Sequence, residues 1–465
     1  MASSVAPPPG GHMVTAEQIA AWMPQAERDL QALVALPSVA DPQLYDLGPC
    51  SEASRFTARA LRSAGLMDVR VVDVGDAAPT VVGRSPAPPG APTVLLYAHY
   101  DVQPPGDLDE WRSPPFELSA RGGRWYGRGA ADCKGNVVAH LTALRTLGER
   151  LPVGVTVLIE GAEEQSSHGL TRYVTQHPSE LHADAVIIGD SGGAAEGIPA
   201  LTVALRGVVN LVVSVTTMRA AVHSGMFGGP APDALAALIR ILDSLYDARG
   251  NTVIEGVPPS DAWHGAPYPD AAFRREVGLA EGVQLMGTGS VAERLWARPA
   301  VTVLGIDCPR VVGSSMSVSA RARARVSLRI PPGVDTQSAA VALTAHLQAR
   351  APWHAQVSTQ LAGAVAPVQT PLSGTAHVTA GDALALAYGR PPVLRGDGRS
   401  VPVCAALAET LPSSEMVVLG VEEPACRVHA PNESVAPAEI ARIALSEALF
   451  LQTYAQREGN CGRTP

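Results

Sequence analysis

LLYAHYD, at residues 95–101, decides the fold, because an apolar run typical of a buried strand stops there at a His-x-Asp pair. The same abrupt stop recurs twice. The apolar run Val155–Ile159 leads to the pair Glu163–Glu164, and the run Ala185–Ile188 leads to Asp190. In an open α/β sheet, ligands bind beyond the carboxyl ends of the strands. Three strand ends that carry histidine and carboxylates therefore predict one shared site, and this mixture of side chains suggests bound metal.

The order of predicted elements indicates an α/β protein with two unequal domains. Strands and helices alternate up to about residue 190, the pattern of βαβ units in a doubly wound, mostly parallel sheet. From about residue 201 the order becomes β-α-β-β-α-β, the ferredoxin-like arrangement, with a Pro- and Gly-rich excursion at 250–299. The smaller domain is thus predicted at 201–366, inserted into a catalytic domain formed by 1–200 and 367–465. Its predicted elements are a strand at 201–215, a helix at 231–247, strands at 300–305 and 318–330, a helix at 335–349 and a strand at 355–361. The last segment again alternates strand and helix, as the chain does before residue 190, with a strand at 416–419 and a helix from 437 to about 454.

Length and composition are those of a large globular protein. The chain has 465 residues, of which 46% are apolar and 17% charged, enough to bury a substantial core in about two to four domains. No apolar stretch reaches the roughly 18 residues needed to cross a bilayer. The first 13 residues contain neither a basic segment nor an apolar segment of the kind found in signal peptides. We therefore expect a cytoplasmic location and no membrane partner.

The cysteines and the charge distribution exclude two further classes. Six cysteines are scattered without a Cys-x-x-Cys pair, which predicts reduced thiols rather than a disulfide framework or a zinc knuckle. The net charge of −9 is spread along the chain, and no Lys/Arg cluster could follow a phosphate backbone, so we expect no nucleic-acid partner. The cysteines are Cys50, Cys133, Cys308, Cys404, Cys426 and Cys461.

Two more segments complete a candidate metal site. Asp132 lies in the glycine-rich turn Gly127–Gly135, and His429 lies in Arg427–Glu433, beyond the predicted strand at 416–419. Two imidazoles and three carboxylates exceed the needs of one tetrahedral zinc ion but suit two divalent ions about 3.5–4 Å apart, with Asp132 bridging them. Two ions, three carboxylates and one bridging hydroxide also sum to a charge near zero. Zn²⁺ is the first choice, and Mn²⁺ or Co²⁺ suits the same ligands. The predicted ligands are His99, Asp132, Glu164, Asp190 and His429.

Two further carboxylates have predicted catalytic roles. A metal pair lowers the pKa of a bound water to about 7 and polarises a substrate carbonyl. Glu163 adjoins the predicted ligand Glu164 without needing to coordinate, so it is the predicted general base and later donates the proton to the leaving amine. Asp101, two residues after His99, is predicted to orient the imidazole.

Each of these motifs also has a simpler interpretation. Taken singly, these acidic residues are typical of solvated loop carboxylates. A second His-x-Asp, at His182–Asp184, precedes its strand and is interpreted as surface. The string Gly189–Gly193, GDSGG, matches the signature of chymotrypsin-like serine proteases with Ser191 as nucleophile. That protease requires an all-β double barrel, so the serine hydrolase is a distant alternative.

Taken together, these strings resemble the M20 metallopeptidases, and in particular the branch with the carnosine and cytosolic non-specific dipeptidases. The resemblance extends from about Pro37 to Leu449, with the motifs in the order and spacing of the family. The matching strings are 97–104 (YAHYDVQP), 127–135 (GRGAADCKG), 160–164 (EGAEE), 223–225 (HSG) and 429–433 (HAPNE).

The resemblance implies the same five metal ligands, with Asp101 and Glu163 in the roles given above. It also implies dimerisation through the inserted domain, which acts as a lid. His223 would then stabilise the oxyanion across the dimer, Arg329 would hold the substrate carboxylate, and Ser400 would lie near the substrate. The implied activity is two-metal hydrolysis of the amide bond in dipeptides or similar short substrates.

Three departures from the family pattern leave the substrate open. Arg399 stands where relatives typically have glycine, Ala221 replaces a usual acidic residue, and Ser314–Met316 lacks the usual Ile-Pro. An N-acyl- or N-carbamoyl-amino-acid amidohydrolase on the same fold therefore remains an alternative. A non-catalytic binding protein is disfavoured, because no ligand or base is missing.

Overall fold

The computed structural model describes residues 12–149, 151–165, 168–258 and 262–461, and of 458–461 only the backbone. The two ends of the predicted catalytic domain, at 1 and 465, lie outside these residues. The chain divides into two compact units. The first unit comprises the described residues of Met1–Val203, Thr370–Arg395 and Pro402–Pro465, and the second comprises Ala204–Gln369 with Gly396–Val401.

Helices and strands are numbered here in chain order. The helices are α1 (Ala16–Val34), α2 (Gly48–Ser63), α3 (Lys134–Leu147), α4 (Gly169–Gln176), α5 (Ser224–Phe227), α6 (Ala234–Asp243), α7 (Asp270–Glu276), α8 (Thr336–Ala349), α9 (Thr375–Tyr388), α10 (Pro402–Thr410) and α11 (Pro437–Cys461). The strands are β1 (Asp68–Val72), β2 (Thr80–Ser85), β3 (Thr93–His99), β4 (Ser119–Arg121), β5 (Arg124–Tyr126), β6 (Gly154–Glu160), β7 (Ala185–Gly189), β8 (Ala200–Leu205), β9 (Gly207–Thr216), β10 (Val222–His223), β11 (Ala300–Asp307), β12 (Ser317–Val318), β13 (Arg321–Ile330), β14 (Gln356–Val365), β15 (Val368–Gln369), β16 (Val393–Asp397), β17 (Glu415–Leu419) and β18 (Ser434–Val435).

The first unit is built on a sheet whose centre is parallel. The strand order is β1-β2-β6-β3-β7-β17-β8, and β3 pairs in parallel with both β6 and β7, as β17 does with β7. The outer strands β1, β2 and β8 are antiparallel to their neighbours. The predicted α/β class with a mostly parallel central sheet is confirmed. Because the chain places β6 on one side of β3 and β7 on the other, the strand order reverses at β3, where such sheets form a crevice.

The central strands are buried on both faces, which explains their continuous apolar sequences. Every residue of β6 and β7 is buried, as is β3 from Val94 to His99. Helix α3 packs on β3 and between α1 and α11, and its residues from Lys134 to Leu144 are buried. The start of α3 is therefore held firmly, together with the glycine-rich turn that precedes it.

The second unit contains an antiparallel sheet with the order β11-β13-β9-β14. Helices α6 and α8 pack on this sheet around a core that includes Val213, Leu238 and Leu343. Along the chain, the elements follow the order β9-α6-β11-β13-α8-β14.

Several element boundaries predicted for the inserted domain were wrong. The strand predicted at 201–215 is two strands, β8 and β9, which are separated by Arg206. The strand predicted at 318–330 is likewise divided into β12 and β13. The helix predicted at 231–247 is only α6, because Asp233 caps it at the start, its Oδ1 accepting from the Leu235 backbone N–H at 2.9 Å.

The described cysteines agree with the prediction of reduced thiols. Cys50, Cys133, Cys404 and Cys426 are buried, Cys308 is exposed, and none of the five forms a disulfide. The Cys461 side chain lies outside the described residues. Among the described helices, none combines the length and the apolar character that a membrane crossing requires.

Candidate metal centre

The candidate site lies at the carboxyl ends of adjacent parallel strands in the first unit. His99 is the last residue of β3, Glu163–Gln165 forms a short 3-10 turn after β6, and Asp190 follows β7 directly. The register aligns His99 with Glu160 across β3 and β6. Because parallel strands end at the same edge of the sheet, residues far apart in sequence meet there.

The His99 ring is held between carboxylates on both sides. Its Nε2 lies 3.0 Å from Asp132 Oδ1 and 3.9 Å from Asp190 Oδ1. Its Nδ1 lies 3.1 Å from the Asp101 backbone carbonyl and 3.3 Å from Asp101 Oδ1. All four residues are at most 3% exposed. The Nδ1 contacts fix the orientation of the ring, so Nε2 is directed at the two carboxylates.

Asp132 is shared between two histidines. Its Oδ1 faces His99, and its Oδ2 lies 3.0 Å from His429 Nε2. The same His429 nitrogen lies 3.2 Å from Glu164 Oε2. One carboxylate thus has an imidazole beside each of its oxygens, which is the arrangement expected of a carboxylate between two ions.

His429 reaches this position from an unusual loop. Arg427, His429 and Asn432 have φ values of 56°, 65° and 63°, in the left-handed region that residues other than glycine rarely adopt. Such conformations cost free energy and cluster at functional sites. Asn432 stabilises the loop, because its side chain accepts from the Arg112 backbone N–H at 2.9 Å and donates to the Glu110 carbonyl at 2.7 Å.

The donor set fits bound divalent cations. Potential ligand atoms of Asp132, Glu164 and His429 lie within 4.8 Å of one another, and so do those of His99, Cys133 and Asp190. A third such group joins Asp132 and Asp190 to Glu422. Buried carboxylates this close together repel one another unless a cation compensates them. In addition, Glu164 Oε1 is buried without a hydrogen-bond partner among the described residues, as expected of a ligand atom.

Asp101 connects His99 to the predicted base. Besides facing His99, its two carboxylate oxygens accept from the backbone N–H groups of Glu163 at 3.1 Å and Glu164 at 3.0 Å. Burial raises the pKa of Glu163 to about 8, with His99 opposing the rise and Glu160 adding to it. A carboxylate with a pKa this close to neutrality can both accept and release a proton.

Glu433 is a site residue to which the sequence analysis assigned no role. Pairing of β18 with β5 places it beside the glycine-rich turn, where its buried carboxylate accepts four hydrogen bonds. The donors are Arg128 Nη1 at 2.7 Å and the backbone N–H groups of Gly129 at 3.0 Å, Ala131 at 3.0 Å and Asp132 at 3.1 Å. Glu433 therefore joins the His429 loop to the turn that carries Asp132. Its position four residues after a predicted ligand, in a string typical of the family, was the available signal.

Lys134, the only lysine of the chain, has a structural role beside the site. Its buried Nζ donates to the backbone carbonyls of Leu33 and Leu36, both at 2.8 Å. Burial lowers the pKa of Lys134 to about 7. The lysine therefore ties the end of α1 to the start of α3.

The predicted substrate-binding residues belong to the second unit. Arg329, on β13, donates from Nη1 to Ser400 Oγ at 2.7 Å, so the structure brings these two residues together. His223, at the end of β10, is exposed, and its Nδ1 accepts from the Gly225 backbone N–H at 3.1 Å. The described contacts give His223 no link to the other two.

The geometry does not support the serine hydrolase alternative. Ser191 Oγ is buried and hydrogen-bonded to Thr202 Oγ1 at 2.8 Å, while Asp190 of the same string is directed toward His99. The surrounding fold is α/β rather than a double β-barrel. His182, in the second His-x-Asp string, is exposed as predicted.

The chain is similar to known proteins over most of its length. The sequence profile described as peptidase family M20/M25/M40 matches residues 95–453. The chain is 42% identical over 409 residues to the cysteinylglycine-S-conjugate dipeptidase of Corynebacterium striatum, covering 87% of this chain and 90% of that protein. Among solved structures it is similar to the dipeptidase Dug1p of Saccharomyces cerevisiae, with a TM-score of 0.81, 23% identity and coverage of 95% and 98% of the two chains. Human carnosine dipeptidase 1 gives a TM-score of 0.80 at 22% identity, with coverage of 97% and 100%.

Proposed function

Because the chain belongs to peptidase family M20/M25/M40, and is thus a hydrolase of a metallopeptidase family, we propose that it acts as a two-metal dipeptidase. The observation that carries the proposal is Asp132, whose two oxygens face His99 and His429 separately. The proposed substrates are dipeptides with a free carboxylate. Cysteinylglycine and its S-conjugates are the first candidate substrates, because the relative with 42% identity is named for them.

The proposed ligands form two sets that share Asp132. His99 and Asp190 would hold one ion, and Glu164 and His429 would hold the other, with Zn²⁺ as first choice and Mn²⁺ or Co²⁺ as alternatives. Two ions bound there supply polarisation of the substrate carbonyl and a lowered pKa for the attacking water.

Glu163 moves the proton in the proposed mechanism. Its carboxylate accepts a proton from the attacking water and later donates it to the amine nitrogen that leaves. Asp101 positions two parts of the site at once, the His99 ring and the backbone of Glu163 and Glu164. One carboxylate thereby sets the separation between a ligand and the base.

The second unit is proposed as the lid and dimerisation domain, and the enzyme as a homodimer. Arg329 would hold the substrate carboxylate, Ser400 would lie near the substrate, and His223 of each copy would donate to the oxyanion in the other. The exposure of His223 is compatible with such a role. The proposed location is the cytoplasm, because none of the five described cysteine side chains forms a disulfide.

A substrate panel tests the reaction. Metal-reconstituted protein is assayed with Cys-Gly, an S-alkylated Cys-Gly, β-Ala-His, and the N-acetyl and N-carbamoyl derivatives of one amino acid. We expect turnover of the free dipeptides and loss of turnover with a chelator. Selective turnover of an N-acyl or N-carbamoyl derivative would replace the dipeptidase by an amidohydrolase. Activity that persists after metal removal but is lost to a serine-directed acylating reagent would favour Ser191.

A further inference from the structure

Arg206, between β8 and β9, is anchored at both ends of its backbone by the segment Gly396–Val401 of its own unit. Its N–H donates to the Asp397 carbonyl at 3.2 Å, and its carbonyl accepts from Ser400 Oγ at 2.5 Å. The residue is only 8% exposed. Nothing in the proposed mechanism uses this buried cation.

The guanidinium of Arg206 is incompletely paired. Its Nε and Nη1 are buried and have no hydrogen-bond partner among the described residues. Burial lowers the pKa of Arg206 to about 10, the nearby Arg329 adds to this, and Asp397 opposes it. A buried cation with unsatisfied donors costs free energy, so such a group calls for a functional explanation.

The surroundings of Arg206 carry excess positive charge. Arg329 donates to Ser400, while Arg399 pairs with Asp397 through Nε at 3.1 Å and Nη2 at 3.0 Å. Arg206, Arg329, Arg399 and Asp397 together carry a net charge of +2. We call these four residues and Ser400 the arginine cluster.

Gly398 allows the Arg206 side chain to lie against the backbone of the same segment. A Cβ at residue 398 would lie 2.8 Å from Arg206 Nη2. The segment that supplies Ser400 is thus shaped around this guanidinium. The cluster therefore combines the Ser400 hydroxyl with the guanidinium groups of Arg206 and Arg329, and two buried donors of Arg206 have no partner among the described residues.

We infer that Arg206 is a specificity-determining residue that binds the C-terminal carboxylate of the substrate together with Arg329. This inference rests on the proposed function, since it takes the ligand to be a dipeptide with a free carboxylate. Guanidinium groups bind carboxylates through charge-assisted hydrogen bonds, which are stronger than neutral ones. A single carboxylate would accept from the unpaired donors of Arg206 and lower the repulsion between the two arginines.

The test compares Cys-Gly with its C-terminal amide, which lacks the negative charge. For Arg206→Met, we expect kcat/KM for Cys-Gly to fall about 30-fold, mainly through KM, and kcat/KM for the amide to fall less than about 3-fold, because only the charged hydrogen bond is lost. Arg206→Lys should keep part of the preference for the acid. Arg321→Met serves as the control, because Arg321 is an exposed arginine on β13.

Equal losses on the acid and the amide would overturn the inference and make Arg206 purely structural. If Arg206→Met does not fold, as judged by its melting temperature, the acid-to-amide ratio of Arg206→Lys decides in the same way. If the wild type cleaves neither compound, the dipeptidase proposal fails separately. Calorimetric titration with N-acetylglycine and its amide then tests whether Arg206 binds a carboxylate. Binding of N-acetylglycine but not of the amide, lost in Arg206→Met, supports the inference. Absence of such binding in the wild type, or the same binding in Arg206→Met, overturns it.

Discussion

We call His99, Asp132, Glu164, Asp190 and His429 of the first unit the acidic centre. The acidic centre and the arginine cluster of the second unit are opposite in charge but alike in one respect. Each contains buried polar atoms without a partner among the described residues: Glu164 Oε1 in the acidic centre, and Nε and Nη1 of Arg206 in the arginine cluster. An unpartnered acceptor among carboxylates suits a cation, whereas unpartnered donors among guanidinium groups suit an anion. Under the two proposals, the unsatisfied acceptor would face a metal ion and the unsatisfied donors would face a substrate carboxylate.

The two regions also differ in how they are supported. The acidic centre is assembled from several strand ends and loops, with Asp101 and Glu433 joining the parts through backbone N–H groups. The arginine cluster depends on one short segment, which supplies Ser400 and Asp397. Substitutions in the acidic centre should therefore affect the chemical step for every substrate. Substitutions in the arginine cluster should affect the choice of substrate.

The largest expected effect is that of Asp132→Asn. Loss of the charge shared by the two proposed ion positions should lower kcat by more than about 10⁴-fold for acid and amide substrates alike, because both ions depend on it. Elemental analysis should find fewer than two ions per chain. Asp68→Asn, on the outer strand β1, is the control, since the Asp68 side chain is exposed. Two ions and near-normal kcat in Asp132→Asn would remove the basis of the two-metal proposal.

Glu163→Ala should separate proton transfer from metal binding. We expect a loss of kcat of about 10²–10⁴-fold, typical of a general base, with an unchanged metal content because Glu163 is not a proposed ligand. Single-turnover kinetics and elemental analysis on the same preparation measure both quantities. Glu180→Gln is a control distant in sequence. A near-normal kcat in Glu163→Ala would refute the base assignment, and loss of metal would instead make Glu163 a ligand.

A smaller effect is expected from Glu433→Gln, which keeps the shape of the side chain and removes its charge. The turn that carries Asp132 should loosen, and the Kd for metal should rise about 10–100-fold, as for other residues that support ligands indirectly. Excess metal should restore most of the activity, which distinguishes a positioning residue from a catalytic one. Glu196→Gln tests an exposed glutamate for comparison. Failure of excess metal to restore turnover would contradict the positioning role.

The two regions differ as well in how far sequence reasoning could reach them. His99, the Glu163–Glu164 pair and Asp190 lie at or shortly after the ends of apolar runs, so the fold class alone predicts that they meet at one edge of the sheet. Asp132 and His429 come from turns whose path depends on positive φ values and on the anchor supplied by Glu433. Their convergence was predicted from the glycine-rich turn before a helix and from the position of His429 beyond a strand, and the family resemblance implied the same ligands.

The role of Arg206 could not be predicted from the sequence for a different reason. It lies between two apolar runs, and the sequence analysis merged these runs into one strand at 201–215 because apolar continuity conceals a single-residue break. Two of its side-chain nitrogens have no partner among the described residues because the side chain packs against a segment 194 positions later in the chain, and no local pattern encodes that packing. Arg329 and Ser400, by contrast, were indicated by the resemblance, and the structure joins them by a hydrogen bond.

The smallest expected effect is a pH dependence of the free energy of unfolding that arises from His140 in the first unit. His140, on α3, is buried, with Nδ1 2.7 Å from Glu447 Oε2 and Nε2 3.0 Å from the Tyr97 carbonyl. Both ring nitrogens face acceptors, so the protonated ring satisfies both. Burial lowers the pKa of His140, but the charge and the hydrogen bond of Glu447 outweigh it, and the pKa lies above its ordinary value.

Because the pKa of His140 is raised in the folded state, the stabilisation is fully present below the unfolded value of about 6.5 and is lost as the pH rises through the folded value. The free energy of unfolding should therefore fall with rising pH, by at most about 1.4 kcal/mol per pH unit. The arginine cluster keeps its charge between pH 6 and 9, since even Arg206 has a pKa of about 10.

Urea unfolding of the metal-loaded wild type and of His140→Gln, from pH 6 to 9, isolates the contribution of His140 as the difference between the two proteins. Exposed His182→Gln should follow the wild type. If the free energies of unfolding of the wild type and His140→Gln depend on pH in the same way, the His140–Glu447 pair contributes no pH-dependent stability.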